Sequence, residues 1–321
     1  MPTKGRKPRD VGRTFASLYE TFISLKQAEG CRERTIKDYR DTLRDFSRFF
    51  DVNLVITNPK LYDALIEYFK SKAGKQPATY NRPYSNLHAF FEFCVAQSYL
   101  RSNPLKDLGL KKRKDDGETV RHVDESTLEK LLKAIDKKTY TGLRDYALIL
   151  LTLDTGIRPK EALSLTVDDV DLDKLIVHVR KEYSKVKKAR ILPISPVTAA
   201  AIGEVINMTP EEWGNMIFYS TTGLPMTTHM WTKRLYMYSK KIGVKVTPYS
   251  LRHTFAIMFL RNGGNQFALK YEMGHSTMAM TSRYVKLAQM DIENQHRIAS
   301  PVIKLVRRSI RPGKRGSTKK S

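Results

Sequence analysis

The sequence predicts a mainly α-helical protein with one small β-sheet or hairpin: a helical bundle first, then an α+β domain. The prediction rests on three features. Residues 15–95 carry four apolar stripes at helical spacing. The period changes to alternation only in "KLIVHVR" and "ARILPIS". Between the two regimes, "SNPLKDLGLKKRKDDGE" has Pro, Gly and a like-charge block but no periodicity, which is the composition of a linker.

In the first region, Phe15, Leu18, Phe22 and Leu25 line one helix, and Ile36, Tyr39, Leu43, Phe46 and Phe50 line a second. Asn58 caps a third, with Pro59 in its first turn and Tyr62, Leu65 and Phe69 on its stripe. Leu87, Phe90, Phe91, Cys94 and Val95 mark the fourth. Basic side chains dominate the outward positions, so the bundle presents a basic face. The aromatic stripes read as core rather than as base-stacking platforms.

In the second region, Asp124 caps the helix in "VDESTLEKLLKAI", and "LRDYALILLTLDTG" is a buried helix stopped by Gly156. The two alternating segments, joined by the polar "KEYSKVKK", form a β-hairpin with a basic tip. Helical patterns return at 198–208, at 229–242 and from Tyr249 onward, where Gly263 and Gly264 end the helix that carries Arg252. A short helix, a turn at Gly274 and His275, and a last helix through Tyr284 complete the pattern. The expected organisation is a basic tail at 1–12, a helical domain at 13–103, a basic linker at 104–118, a second domain at 119–300 and a basic tail at 301–321. Residues 304–321 hold eight basic side chains and no acidic one.

Charge narrows the partner. The 57 basic and 33 acidic side chains leave +24, a self-repulsion that a polyanion relieves. Nucleic acid is the first candidate and an anionic membrane surface the second. The longest strongly apolar run, Tyr146 to Leu153, is far too short to span a bilayer. The N-terminus lacks the apolar segment of a secretory signal. Cys31 and Cys94 stand apart, as reduced structural thiols do. The expectation is a cytoplasmic protein that faces nucleic acid.

Three separated segments can carry chemistry. "TGIRPKEALSL" sets Arg158 after a helix-ending glycine, with Glu161 one turn on; "TPYSLRHTFA" sets Arg252 beside His253. "MGHSTMAMTSRYV" puts His275 at a glycine turn and Tyr284 further along the next helix. The seven histidines are scattered without ligand spacing, so no metal site or cofactor is predicted, and neither GxxxxGK[ST] nor GxSxG occurs. A pentavalent phosphate can instead be held by two arginines, whose guanidinium groups stay charged and grip two oxygens at once. A lysine can protonate the leaving oxygen, and a tyrosine, with a phenol pKa near ~10, can act as nucleophile. His253 follows Arg252 directly and so points to another helical face, as a structural or DNA-contacting residue, with a catalytic role as the lesser alternative. The basic side chains Lys111, Lys112, Arg113 and Lys114 in the linker, and Lys187, Lys188 and Arg190 in the hairpin, read as DNA contacts.

Together these segments resemble the tyrosine recombinase (phage integrase) family over nearly the whole chain, in a Xer-like form without an arm-binding domain. The resemblance makes Arg158 and Arg252 the two catalytic arginines, Glu161 their acidic companion, His275 the third-box histidine of "MGHST" and Tyr284 the nucleophile. "KVKKARILP" resembles the family's "KGxKxRxxP" turn and maps Lys185 onto the catalytic lysine, with Lys187 and Lys188 close enough to compete. The N-terminal helices resemble the SAM-like core-binding domain, and residues 119–300 the recombinase catalytic domain. The implied activity is site-specific recombination of double-stranded DNA through a 3′-phosphotyrosyl bond and a Holliday junction. It needs no metal or ATP and runs in a homo-tetramer on synapsed sites, from a monomer in solution. Tyr249 departs from the pattern: the family usually places a histidine there. A phenol is a poor base near neutral pH, so Tyr249 is expected to position phosphate, leaving proton removal to His275 or water. Type IB topoisomerase activity and catalytically impaired DNA binding are the rival readings. The integrase-like boxes argue against the first, and the intact Arg158, Arg252, His275 and Tyr284 against the second.

DNA affinity should fall steeply and linearly on a log–log plot against salt, as condensed counterions are released from many phosphates. A binding titration that stays flat from low to moderate salt contradicts the electrostatic reading.

Overall fold

The computed structural model describes residues 13–114, 122–184, 186–288, 296–297 and 300–302. Lys185, the tail at 1–12, residues 115–118 of the expected linker and most of the C-terminal tail lie outside the described residues. The chain divides into two units, residues 1–116 and 117–321.

The first unit contains α1 (Phe15–Ala28), α2 (Glu33–Phe46), α3 (Lys60–Lys70), α4 (Pro77–Ala96) and the single turn α5 (Pro104–Asp107). Aromatic rings decide how the helices meet. Phe90 of α4 lies 4.9 Å from Phe15, 4.7 Å from Tyr19 and 5.8 Å from Phe22, centroid to centroid, and all four are fully buried. Two expectations shift here. Tyr62 leaves the α3 core stripe and donates to Asp107 at 3.0 Å, while Leu61 and Tyr68 face inward beside Leu65 and Phe69. The expected linker is also partly folded onto this unit. Asn103 caps α5 by accepting from Leu105 N at 3.1 Å, Leu105 is buried, and the Arg113 guanidinium donates to Ala73 O at 2.6 Å over the Tyr80 ring. Arg113 is thereby a packing residue.

The second unit contains α6 (Glu125–Lys133), α7 (Tyr140–Thr155), α8 (Pro159–Ala162), α9 (Pro196–Met208), α10 (Thr228–Ile242), α11 (Pro248–Arg261), α12 (Gln266–Glu272) and α13 (Met278–Leu287). Asp124 caps α6 as expected, accepting from Thr127 N at 2.8 Å. The expected hairpin is two-thirds of a three-stranded antiparallel sheet, β1 (Val170–Asp171), β2 (Ile176–Val179) and β3 (Arg190–Pro193), in the order β1-β2-β3. β1 is too short to show an alternation of its own. Val177 pairs with Leu192 in register, and both join the main core with Leu148, Leu151, Ile202 and Trp231. Along the chain, α7 packs against α9 and α11. A smaller cluster joins α11, α12 and α13 through Ile257, Leu260, Leu269, Met273 and Tyr284.

Gly156 ends α7 at φ +59°, and a Cβ there would lie 2.3 Å from the Phe255 ring. The left-handed conformation (about 1–2 kcal/mol for an L side chain) and the clash (about 1–3 kcal/mol) act together. Gly156→Ala should therefore destabilise the second unit by about 2–5 kcal/mol in urea unfolding, and a change under the measurement error contradicts this packing.

Candidate active site

The left-handed turn at Gly156 carries the chain off α7 and sets Arg158 at the N-cap of α8. Pro159 starts that helix, and Glu161 three residues on reaches back: Arg158 N donates to Oε2 at 3.3 Å and Arg158 Nη1 to Oε1 at 3.0 Å. Glu161 is 1% exposed and has a second cation, because Arg190 Nη2 donates to its Oε2 at 2.6 Å. Burial alone would raise this carboxyl's pKa, but Arg190 and Arg158 outweigh it and hold the group below the ordinary carboxylate range.

Each arginine is also held by main-chain carbonyls at helix ends, groups that lack an intrahelical partner. Arg158 Nη2 donates to Gly274 O at 2.7 Å, Arg190 Nε to Glu272 O at 2.9 Å, and Arg252 Nη2 to Met273 O at 2.7 Å. Arg252 Nη1 donates to Gly156 O. Gly274 has φ +59°, and a Cβ on it would sit 3.0 Å from Arg158 Nη1 and 3.2 Å from Arg190 Cζ, so only glycine admits both guanidiniums. Burial first, then Arg158, push the Arg252 pKa down to about 9, which leaves it charged at neutral pH. Arg190 Nη1 is buried without a hydrogen-bond partner among the described residues.

Tyr284 is fully buried on α13. Among the described residues its hydroxyl meets two groups: His253 Nδ1 at 2.6 Å and Arg283 Nη2 at 3.0 Å. The His275 ring stacks on the Tyr284 ring, centroids 6.0 Å apart and planes 9° from parallel, while His275 Nδ1 bonds Thr281 Oγ1 at 2.9 Å. Burial is the main reason both imidazoles lose basicity. With Arg283 and then Arg252 adding to it, His253 drops to about 4; with Arg252 and Arg158, His275 drops to about 3.

Seven residues from separate segments thus converge: Arg158, Glu161, Arg190, Arg252, His253, His275 and Tyr284. Two of them sit differently from expectation. Arg190, grouped with outward DNA contacts, is 6% exposed and pairs with Glu161. The signal was available: in an alternating strand, Arg190 shares the inward face with Leu192 and Ile194. His253 turns away from Arg252, as adjacency requires, but toward Tyr284. It continues the stripe of Ile257 and Leu260 at helical spacing. Arg283 was missed, and only its adjacency to Tyr284 marks it. Tyr249 stays apart at 60% exposure, with no hydrogen bond among the described residues. Lys187 and Lys188 are exposed at the hairpin tip, and Lys111, Lys112 and Lys114 are exposed in the first unit. Chemically, the cluster offers fixed cations for an anion, a phenol and two uncharged imidazoles.

Known proteins resemble this chain. Residues 121–290 match the sequence model of the phage integrase family. The chain is 25% identical over 297 residues to the tyrosine recombinase XerD of Listeria monocytogenes serovar 1/2a, covering 88% of this chain and 98% of that protein. It is likewise 25% identical over 300 residues to the tyrosine recombinase XerC of Bacillus subtilis, covering 88% and 95%. The integrase of transposon Tn1549, solved with circular intermediate DNA, shares the fold with a TM-score of 0.68 at 23% identity, over 89% of this chain and all of that one (100%).

Glu161→Gln leaves Arg158 and Arg190 without their buried anion and should cost about 3–5 kcal/mol at neutral pH. Because the folded carboxyl titrates below its ordinary range, its stabilisation is complete above that range and is lost as pH falls through the lowered value. The gap between parent and variant in urea unfolding should therefore narrow in strong acid. An equal gap at both pH values removes Glu161's charge from the explanation.

Proposed function

The chain belongs to the phage integrase family of tyrosine recombinases, and from that premise we propose how its own residues perform site-specific DNA recombination. The observation that carries the reading is the convergence of two guanidiniums, the part-buried Arg158 and the buried Arg252, with the Tyr284 phenol and the stacked His275. Arg158 and Arg252 hold the non-bridging oxygens of the scissile phosphate and stabilise the charge that builds in the pentavalent state. Tyr284 Oη bonds to phosphorus, the bond from phosphorus to the 5′ oxygen breaks, and a 3′-phosphotyrosyl link remains. Lys185 protonates the departing 5′ oxygen, with Lys187 or Lys188 as the alternative donor. The 5′ hydroxyl of a partner strand then attacks the phosphotyrosine and frees the phenol.

Glu161 positions the arginine pair and transfers no proton. Tyr249, exposed on the first turn of α11, reaches phosphate by hydrogen bonding. Tyr284 has no accessible surface, so its hydroxyl meets phosphorus only after α13 or the Arg283 side chain shifts. Residues 13–103 serve as core-binding domain and 119–300 as catalytic domain. The linker lysines Lys111, Lys112 and Lys114 contact the DNA backbone. Two rounds of exchange in a homo-tetramer on synapsed sites pass through a Holliday junction, on the DNA of the nucleoid in the cytoplasm.

On a nicked duplex that traps the covalent step, the parent should give a protein–DNA adduct on a denaturing gel and Tyr284→Phe none. Arg158→Ala and Arg252→Ala should each slow adduct formation by about 100-fold or more. An adduct from Tyr284→Phe overturns the nucleophile. Relaxation of plasmids that carry no recombination site would favour topoisomerase chemistry instead.

A further inference from the structure

We infer that His253 is the catalytic base that takes the Tyr284 proton, replacing the imidazole that position 249 lacks. The inference rests on Tyr284 being the nucleophile. Among the described residues the Tyr284 hydroxyl has two neighbours, and of these only one can receive a proton. Arg283 Nη2, at 3.0 Å, is a donor with no acceptor capacity. His253 Nδ1, at 2.6 Å, is therefore the atom the phenol donates to, with the ring's own proton on Nε2. His275 lies flat on the Tyr284 ring rather than at its hydroxyl, and its Nδ1 is engaged by Thr281. Tyr249 is exposed and holds no hydrogen bond among the described residues.

Helix geometry explains the replacement. Residues 249 and 253 are one turn apart on the same face of α11, so an imidazole at 253 serves the same side of the helix from a deeper position. Exposure supports this, since residue 249 lies open while residue 253 is part-buried against α13. The groups facing His253 are Arg283 and Tyr284 from α13 and Arg252 beside it on α11. Burial and the two arginines hold the ring uncharged at neutral pH, with its Nδ1 lone pair open to the phenol. A phosphate anion docked on the arginines offsets their charge and raises the ring's basicity when the proton must move.

The step balances. As Tyr284 Oη bonds to phosphorus, its proton passes to His253 Nδ1. The bond to the 5′ oxygen breaks with its electron pair, and the general acid protonates that oxygen. In rejoining, the 5′ hydroxyl attacks and gives its proton back to the group that protonated it in cleavage, the bond from phosphorus to the Tyr284 oxygen breaks, and the His253 imidazolium returns its proton to that oxygen.

The test is single-turnover cleavage of a nicked duplex by His253→Asn, which keeps an acceptor toward Tyr284 but cannot take its proton, beside His253→Gln and His253→Gly. The base predicts a fall of about 100-fold or more for each, with DNA affinity and melting temperature near the parent's. The same fall should appear on a duplex whose 5′ bridging oxygen is sulfur, a leaving group that needs no acid. Added imidazoles should restore His253→Gly, with rates that follow their pKa. Recovery of His253→Asn on the sulfur substrate would assign the acid role and overturn the base. A slow His253→Gly that no imidazole rescues would leave only a packing role and also overturn it. Cleavage by His253→Asn at the parent's rate, with Tyr284→Phe inactive, overturns the base alone; an active Tyr284→Phe overturns the nucleophile beneath it.

Discussion

Three guanidinium groups, Arg190 and Arg252 buried and Arg158 part-buried, surround a single carboxylate among the described residues, and that arrangement sets the terms for the second unit. Arg158 and Arg190 share Glu161, while Arg252 has no carboxylate of its own and rests on Gly156 O and Met273 O. Cations removed from water are expensive unless every donor is met. Here the end of α7 and the end of α12 supply carbonyls that their helices leave unpaired, and the arginines take them. The same bonds fix those helix ends against β3 and α8. Folding the site and folding the domain are in this sense one event.

The arrangement also explains why the site suits a phosphodiester. One carboxylate against three guanidiniums leaves a local excess of positive charge in a water-poor place, where an anion is worth more than at the surface. The two imidazoles do not add to that excess, because burial and the arginines keep both uncharged. Their geometry separates their roles: His275 braces the face of the Tyr284 ring, and His253 meets its hydroxyl.

Much of the fold was legible because burial imposes a period. The α4 stripe, the α1 stripe apart from Leu25, which is exposed, the Asp124 cap and the Gly156 stop were all visible, as was the alternation of β2 and β3. The misses share a cause. β1 is two residues long, and α5 is one turn, so neither repeats often enough to announce itself. Tyr62 belongs to a plausible stripe, but a partner in α5 claims its hydroxyl. Arg113 sits in a basic block that reads as solvated, yet its guanidinium lies over the Tyr80 ring and donates to carbonyls of the α3–α4 turn. A charge run records valence and not which members find a partner.

The sequence by itself determined the helical and hairpin elements and the basic character, which follow from period and composition, local properties of the chain; its short motifs pointed to Arg158, Glu161, Arg252, His275 and Tyr284 as site residues through their resemblance to a family. Only the tertiary structure decided that Arg190 turns inward to Glu161, that Tyr249 stays outside, and that His253 rather than His275 lies against the Tyr284 hydroxyl. The reason is physical: which polar atom meets which is set by the packing of α11 against α13 and of β3 against α12. Those contacts join residues far apart in the chain, where no local pattern can record them.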